Sequence, residues 1–312
     1  MKAFIFDPIW NELITPELSL KLSSVGIEPV VEAEIRPLSG CAELFQGDTP
    51  RLLAVNPDYV GWKLRGDDYK DVPSLKGIFG AATSYSWIDT SVATQRDIPV
   101  CNIRNFSTEA VAEWAIMMML NLARQTPRLI RDGFPLDFDR DFMSYRGIEV
   151  RGKTAAILGL GNIGNAIAER CHGLGMNVIY WSRSSKISSF SKVELPQLFQ
   201  SADVLFPTFS DNPDSRGIIS EELVMSLKPS SMIVSVVHGL INEPLVLDMV
   251  KRGTLFGYGF EAKPATFDAY QGNVWAAPAY AWATDGSMRN TVASLVENMV
   301  YAAQGLFPHR VN

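Results

Sequence analysis

A glycine-rich turn between two apolar runs constrains this chain more than any other sequence feature. Residues 154–158 form a short apolar run, which is typical of a buried parallel strand. The run leads into the GxGxxG motif at residues 159–164, and then into a helix-forming stretch at residues 165–172. A second apolar run, residues 176–181, follows at the distance that a strand–helix–strand unit requires. This order predicts one half of a dinucleotide-binding fold.

The glycines of this motif have separate predicted roles. One permits the tight turn, one lets the backbone approach a pyrophosphate, and one allows the helix to pack closely on the strand. The helix N-terminus then presents N–H groups and positive dipole character to the phosphates. The predicted cofactor contacts along the loop are Gly159, Leu160, Gly161, Asn162, Ile163 and Gly164.

The segment after the second apolar run indicates which dinucleotide binds. A carboxylate about 20 residues past the glycines would bind the ribose 2′-hydroxyl of NAD. This chain has Ser182, Arg183, Ser184, Ser185 and Lys186 there instead. Two cations and several hydroxyls suit a 2′-phosphate better than a bare ribose, so we predict NADP, bound by Ser182, Arg183 and Ser184. The alternatives are NAD as the cofactor, and a solvated turn whose charges bind nothing.

Length and composition are those of a soluble, enzyme-sized protein. At 312 residues the chain is long for a single core, which predicts two domains. A net charge of −6 with no basic block argues against nucleic acid or an anionic membrane as a partner. Cys41, Cys101 and Cys171 are widely spaced and have no metal-ligand pattern, so we predict reduced thiols, no metal site and a cytoplasmic location. The N-terminus has a strand pattern rather than a signal peptide, and no apolar run approaches the roughly 18 residues that span a bilayer.

The first hundred residues alternate between strand and helix patterns. The predicted strands are residues 3–6, 28–31, 52–55, 77–79 and 100–102. The next segment, residues 108–124, predicts a helix that is apolar nearly all round and therefore buried on more than one side. Such a helix packs either wholly within its own subunit, or with one face against the second subunit of a homodimer.

Motifs along almost the whole chain resemble those of the D-isomer-specific 2-hydroxyacid dehydrogenase family. Residues 98–102 followed by 108–113 are similar to that family's entry into its nucleotide domain, and residues 150–154 resemble the approach to its glycine loop. Further matches at the family's spacings are residues 202–204, 228–229, 240–243 and 296–298. The resemblance implies an α/β fold with two doubly wound, Rossmann-like domains and a cleft between them. The outer domain would comprise residues 1–103 and 285–312, and the dinucleotide-binding domain residues 104–284.

The family's catalytic positions can be located by counting from these motifs. The resemblance implies hydride transfer between a nicotinamide and a 2-hydroxy or 2-oxo acid, with an arginine for the carboxylate and a histidine–glutamate pair for the proton. The arginine position falls on His238, or on Val237 when counted from the other side. The glutamate position falls on Thr266, and the histidine position falls on Ala279. Loss of a positioned acid or base alone costs about 10²–10⁴ in rate, so we predict that the standard mechanism is absent.

The resemblance also implies residues around the nicotinamide and the substrate. Glu261 matches an aspartate near the nicotinamide amide, and Thr208 and Val236 are predicted to join it in the cofactor site. Residues 82–87 replace the family's glycine-rich carboxylate loop, and Arg104 stands where the family usually has a proline. The predicted substrate residues are Thr83, Ser84, Arg104, Tyr280 and Trp282. Alternatively, the aromatic residues only pack between the domains.

Two functions fit this pattern. One is an NADP-dependent oxidoreductase that acts on an unusual carbonyl or imine, with His238, Glu261 or Tyr280 as the proton donor. The other is a catalytically silent nucleotide-binding protein that senses the cofactor or serves as a partner subunit. We predict a catalytic role for His238 in the first case, because imidazole can donate a proton near neutral pH.

Overall fold

The chain folds into two α/β units. The computed structural model describes residues 1–134, 143–184, 186–209, 215, 217–237, 239–261 and 269–312. One compact unit comprises Met1–Ser107 and Thr284–Asn312, and the other comprises Thr108–Ala283. The first unit thus runs to Ser107 rather than to residue 103, and resumes at Thr284 rather than at residue 285. The predicted pair of doubly wound domains is confirmed.

The first unit is built on a five-stranded parallel sheet. Its strands are β1 (Lys2–Phe6), β2 (Glu28–Glu32), β3 (Arg51–Val55), β4 (Leu75–Gly80) and β5 (Val100–Cys101), in the order β2-β1-β3-β4-β5. All five were predicted, and their ends differ from the predicted bounds by no more than two residues; β5 ends one residue early, at Cys101. The described α-helices of this unit are α1 (Trp10–Leu13), α2 (Pro16–Ser24), α3 (Ser91–Gln95) and the last helix of the chain, α10 (Asp285–Ala303).

The last helix belongs to the core of the first unit. Its N-terminus is capped by Thr284, whose hydroxyl oxygen accepts from the backbone N–H of Ser287. Leu295, Val296 and Met299 are fully buried against one face of the sheet, in the cluster that contains Ile5. The opposite side of α10 carries polar residues, as expected of a helix that covers a sheet.

The second unit is built on a seven-stranded parallel sheet. Its strands are β6 (Thr154–Leu158), β7 (Asn177–Trp181), β8 (Ser191–Lys192), β9 (Val204–Pro207), β10 (Met232–Val234), β11 (Gly257–Glu261) and β12 (Val274–Ala277). The order β12-β11-β10-β9-β6-β7-β8 reverses direction between β6 and β9. The described helices are α4 (Thr108–Ala123), α5 (Thr126–Arg131), α6 (Asn162–Gly173), α7 (Leu195–Ser201), α8 (Glu221–Met225) and α9 (Glu243–Arg252). Ligands of such sheets bind beyond the carboxyl ends of the strands at the reversal point.

Two helices differ from their sequence-based descriptions. Helix α6 begins at Asn162, three residues before the predicted start, because its first turn includes Gly164 of the motif. Helix α4 buries one face completely, including Ala115, Met118 and Leu122, against the sheet and α6. Its other face is only partly covered within this chain, and Leu120 is 38% exposed. No helix among the described residues is long and apolar enough to cross a membrane.

Candidate functional site

The glycine loop connects β6 to α6, and its glycines are required for different reasons. Gly159 has a φ of +105°, and a Cβ atom there would lie 3.1 Å from the backbone nitrogen of Phe209. A Cβ on Gly164 would lie 2.1 Å from the carbonyl oxygen of Gly159, so only glycine lets the helix pack against the turn. A Cβ on Gly161 would meet nothing within 4 Å. The turn and packing roles are confirmed, and the open side of Gly161 leaves room for the predicted pyrophosphate.

The first turn of α6 has no side chain that neutralises its positive end. Gly161 is the N-cap residue, and the first turn contains no acidic residue. The aligned peptide dipoles of such a helix are equivalent to about half a positive charge at its N-terminus, which favours a phosphate group. Leu160 is buried in the core and Ile163 packs against it, so these two side chains hold the loop in place. Asn162 is exposed.

A cavity of about 170 Å³ joins the glycine loop to the turn after β7. It is lined by residues 159–161 on one side and by Ser182, Arg183, Ser184 and Lys186 on the other. The structure therefore brings together the two predicted parts of the cofactor site. The described lining residues include two cations and no carboxylate. The cavity is smaller than the roughly 300 Å³ of a complete small-ligand site, so it accounts for one portion of a dinucleotide.

The turn after β7 is shaped by its own hydroxyl groups. Ser182 is buried, and its Oγ donates to the carbonyl oxygen of Ser184 at 2.5 Å. Arg183 and Ser184 are exposed. Within the described part of the chain, the ammonium group of Lys186 forms no hydrogen bond or ion pair. Ser182 therefore fixes the turn from which Arg183 extends, and the two cations flank the cavity.

The other predicted cofactor residues lie at the ends of neighbouring strands. Thr208 follows β9, and its hydroxyl donates to the carbonyl oxygen of Gly159 at 2.5 Å, which ties the glycine loop to the next strand. Val236 is half-buried after β10, and Glu261 is the last residue of β11. Because the carboxyl ends of parallel strands meet at the same edge of a sheet, these residues continue the site along that edge.

A hydrogen bond connects Glu261 to the turn that carries two predicted substrate residues. The backbone N–H of Ala281 donates to Oε1 of Glu261 at 3.2 Å, so the turn after β12 is fastened to the end of β11. Ala279 and Tyr280 in this turn are exposed, and Trp282 is half-buried. Ala279, which the resemblance places at the histidine position, has no group that can transfer a proton.

His238 and Thr266 lie outside the described residues, and their predicted roles stay predictions. The residues before His238 are fixed by a local contact, in which the hydroxyl of Ser235 donates to the carbonyl oxygen of Val237 at 2.8 Å. Val237 is half-buried, and Gly239, on the other side, has a φ of +78°.

In the first unit, Thr83 and Ser84 lie in an exposed loop after β4. The side-chain amide of Asn102 donates to the carbonyl oxygen of Thr83 at 2.7 Å. The indole N–H of Trp87 donates to the carbonyl oxygen of Ser84 at 2.7 Å. Since Asn102 and Trp87 are both buried, the loop is held by two donors that belong to the core.

Sequence reasoning missed a buried polar network behind this loop. The side-chain amide of Asn298 donates to the backbone carbonyl of Asn102 at 3.0 Å. The Oδ1 atom of Asn298 lies 3.0 Å from Nδ1 of His309, and because an amide oxygen only accepts, His309 is the donor. The sequence feature that could have predicted this network is Asn298, a polar residue on the core-facing side of α10.

Arg104 follows β5 in the first unit, two residues after Asn102. It lines a groove with α2 and α10, and neither Thr83 nor Ser84 is among the lining residues. The backbone N–H of the preceding residue, Ile103, donates to the carbonyl oxygen of Ala82 at 3.3 Å, so the segment that carries Arg104 lies beside the 82–87 loop, and the predicted substrate role of Arg104 stays a prediction.

The cysteines offer no nucleophile. All three are free and buried. Burial raises the pKa of the Cys101 thiol to about 11 and that of the Cys171 thiol to about 12, so both are protonated near neutral pH. The described residues contain no group of three or more His, Cys, Asp or Glu side chains that could hold a metal ion.

Comparison with known proteins identifies the family. Residues 116–278 match the model of the NAD-binding domain of the D-isomer specific 2-hydroxyacid dehydrogenases. The chain belongs to this family. It is thereby an NAD-binding oxidoreductase of the 2-hydroxyacid dehydrogenase type, and the family resemblance of the sequence is confirmed.

Two relatives illustrate the distance within the family. The glycerate dehydrogenase of Methylorubrum extorquens is 28% identical over 249 residues, which cover 76% of this chain and 78% of that protein. The D-3-phosphoglycerate dehydrogenase of Archaeoglobus fulgidus is 30% identical over 319 residues, which cover 98% of this chain and 58% of that protein.

Solved structures share the fold over the full length. An acyclic imino acid reductase in complex with NADPH and D-Arg has a TM-score of 0.77 at 21% identity, with 100% of both chains covered. The NAD-complexed D-isomer specific 2-hydroxyacid dehydrogenase from Lactobacillus delbrueckii ssp. bulgaricus has a TM-score of 0.79 at 17% identity, again with 100% of both chains covered. At these identities the likeness supports the two-domain fold alone.

Proposed function

We propose that the protein is an NADP(H)-dependent oxidoreductase that reduces an unusual C=N or C=O bond. The observation that carries the proposal is the cavity between the glycine loop and the turn after β7, which has Arg183 and Lys186 and no carboxylate in its described lining. A guanidinium group binds phosphate oxygens through charge-assisted hydrogen bonds, and a carboxylate that would repel a 2′-phosphate is not part of this lining.

The substrate class that we favour is the imine of an amino acid. A protonated imine accepts hydride at carbon, and the nitrogen then takes the electron pair of the C=N bond, so the step needs no proton from the protein. A ketone, by contrast, must receive a proton on oxygen as the hydride arrives. Replacement of the family histidine by Ala279 is therefore compatible with imine reduction, and the imino acid reductase that shares the fold binds NADPH.

Steady-state consumption of NADPH tests this function. Glyoxylate and pyruvate alone should be reduced very slowly. When methylamine is added to form the imine, the rate should rise at least about 10²-fold, because a general acid contributes at least that factor to the reduction of a ketone. Acetone with methylamine serves as the control for an imine without a carboxylate. A kcat/KM for glyoxylate alone of about 10⁴ M⁻¹s⁻¹ or above would show that the family's standard mechanism operates here.

The second candidate function is a catalytically silent nucleotide-binding protein. Two features favour it: the glycine loop is complete, and Ala279, which the resemblance places at the histidine position, carries no proton-transfer group. Steady-state turnover separates the two functions, because a silent protein binds NADPH in calorimetry but does not oxidise it with glyoxylate, with pyruvate or with their methylamine imines.

We further propose a homodimer formed through the outward face of α4. Trp114 and Met117 are half-buried there and Leu120 is 38% exposed. Sedimentation velocity should show a dimer that Leu120→Asp converts to monomer. A monomeric wild-type protein would contradict the proposal.

A further inference from the structure

A groove of about 630 Å³ lies on the first unit, formed by α2, α10 and residues 104–106 after β5. Its volume falls within the range of about 300–1,000 Å³ that is common for small-molecule sites. Its lining residues all belong to the first unit and include no residue of the glycine loop or of residues 82–87. The groove therefore shares no lining residue with the candidate cofactor site or with the loop that carries Thr83 and Ser84.

The lining combines an apolar surface with a positively charged edge. The apolar surface comes from all three elements of the groove: Leu18 of α2, Phe106 after β5, and Ala293 and Val300 of α10. Lys21 and Arg104 supply two cations, against the single carboxylate of Glu297. A net positive groove is unusual on a chain whose net charge is −6. A ligand that matches these features has an anionic head and an apolar body.

Arg104 is the side chain best placed to bind the head group. It is exposed, and its guanidinium forms no hydrogen bond or ion pair with any residue that the structure describes. Lys21 pairs with Glu17 at 3.0 Å, but both side chains are more than half exposed, so solvent screens the pair strongly. Arg104 thus retains its planar fork of donors, which fits a carboxylate in a bidentate manner.

The segment that carries Arg104 is held in a defined position. Asn105 adopts a left-handed conformation with φ of +61°, which asparagine tolerates better than most residues. The side-chain amide of Asn290 on α10 donates to the carbonyl oxygen of Phe106 at 3.1 Å. Residues 104–106 are therefore attached to the helix that forms the opposite side of the groove, and Arg104 projects from a fixed backbone.

We propose that this groove binds a small monocarboxylate with an aryl or branched-alkyl body, and that Arg104 holds its carboxylate. The apolar lining favours such a body over a sugar or an inorganic anion, because burial of carbon surface contributes to affinity only when the ligand carries it. The proposal does not rest on the proposed oxidoreductase function, since none of its residues belongs to the candidate cofactor site.

Titration calorimetry of the full chain with phenylacetate tests the proposal. We expect a Kd of about 1 mM or lower. Acetate, which has the head alone, and 2-phenylethanol, which has the body alone, should each bind at least tenfold more weakly. Absence of phenylacetate binding up to about 10 mM would overturn the proposal, as would equal binding of acetate.

Two variants locate the site, and one serves as the control. Arg104→Ala should weaken phenylacetate binding at least tenfold, and Ser294→Phe, which fills the groove without changing its charge, should abolish it. The control is Arg289→Ala on α10, the helix that carries Ser294. Arg289 pairs with Asp285 and does not line the groove, so this variant should bind phenylacetate like the wild type.

The variant results also separate the alternatives. Unchanged binding by Arg104→Ala would place the ligand elsewhere on the protein and overturn the proposal. Should Ser294→Phe fail to fold, the exposed Arg104 alone decides the outcome, because its truncation removes no core contact. A dimer in sedimentation that Arg104→Ala dissociates would instead show that a second copy of the chain covers the groove, and the ligand proposal would be wrong.

Discussion

Alanine substitutions at two glycines of the cofactor loop should affect different properties: one should lower the stability of the protein, and the other should lower its affinity for NADPH. At Gly164 the added Cβ would lie 2.1 Å from the carbonyl oxygen of Gly159 and 2.7 Å from the hydroxyl of Thr208, so α6 must move away from the turn. Such overpacking costs about 1–3 kcal/mol, and the helix propensity of alanine returns at most about 1 kcal/mol. We expect Gly164→Ala to lower the free energy of unfolding by about 1–2 kcal/mol.

Gly161→Ala should leave the fold intact and affect only the cofactor. Gly161 has a φ of −84°, which alanine adopts without strain, and its added Cβ would point into open space. That space is where the pyrophosphate is predicted to approach the backbone. We therefore expect an unchanged melting temperature and at least a tenfold loss of NADPH affinity, equivalent to about 1.4 kcal/mol.

Thermal unfolding and calorimetric titration with NADPH measure the two effects on the same samples. The matched control is Gly173→Ala, the same substitution at the other end of α6, where the added Cβ meets nothing within 4 Å. It should neither destabilise the protein nor weaken cofactor binding. Wild-type NADPH affinity in Gly161→Ala would refute the location of the pyrophosphate, and wild-type stability in Gly164→Ala would refute the packing argument.

Three further predictions concern side chains. Arg183→Ala should lower the affinity for NADPH at least tenfold, as expected for a charge-assisted hydrogen bond of about 1.5–3 kcal/mol, and should change NADH affinity little. Equal losses for both cofactors in calorimetry would show that Arg183 does not contact the 2′-phosphate. Burial acts to raise the pKa of Asp203, but hydrogen bonds from Lys228 and from the backbone of Thr154 outweigh it and hold the pKa below its ordinary value of 3.8. The stabilisation by Asp203 is therefore present above pH 3.8 and is lost as the pH falls through the lowered pKa of the folded state. Urea denaturation at several pH values should show that the destabilisation caused by Asp203→Asn becomes smaller below about pH 4. Asn298→Ala removes the hydrogen-bond partner of the Asn102 carbonyl and of the His309 ring, and should lower the free energy of unfolding by about 1–3 kcal/mol. Hydrogen exchange at residues 82–87 should become faster. Unchanged exchange there would show that the network does not support the loop.

The elements of the fold could be predicted wherever a local pattern specifies them. Each strand of the first unit contains a short apolar stretch, and five such stretches predicted five strands. The start of α6 was predicted three residues late because a glycine in the first turn conceals the helical pattern. The outward face of α4 could not be assigned, since the same apolar residues fit a core and an interface equally well.

The candidate site was predictable to the extent that it depends on the backbone. Gly159 and Gly164 are required by a positive φ and by a close approach, and both requirements follow from the order of strand, turn and helix. The network from Thr83 to His309 could not be foreseen, because Asn102 and Asn298 are 196 residues apart and meet only in the folded unit. Arg104 was assigned to the substrate by its place in a motif, whereas the groove it lines depends on α2 and α10.

The two halves of the candidate site constrain the chain differently. The cofactor half depends on turn geometry and on helix packing, so a single added methyl group at Gly164 would disturb it. The substrate half depends on a few side chains at strand ends, and these can be replaced without loss of the fold. The turn that carries Ala279 is held by the hydrogen bond from the backbone N–H of Ala281 to Oε1 of Glu261, a contact that needs no imidazole. Membership of the family therefore constrains the nicotinamide cofactor more firmly than the substrate. A protonated imine is the substrate that fits this turn best, because its reduction requires no proton donor at Ala279.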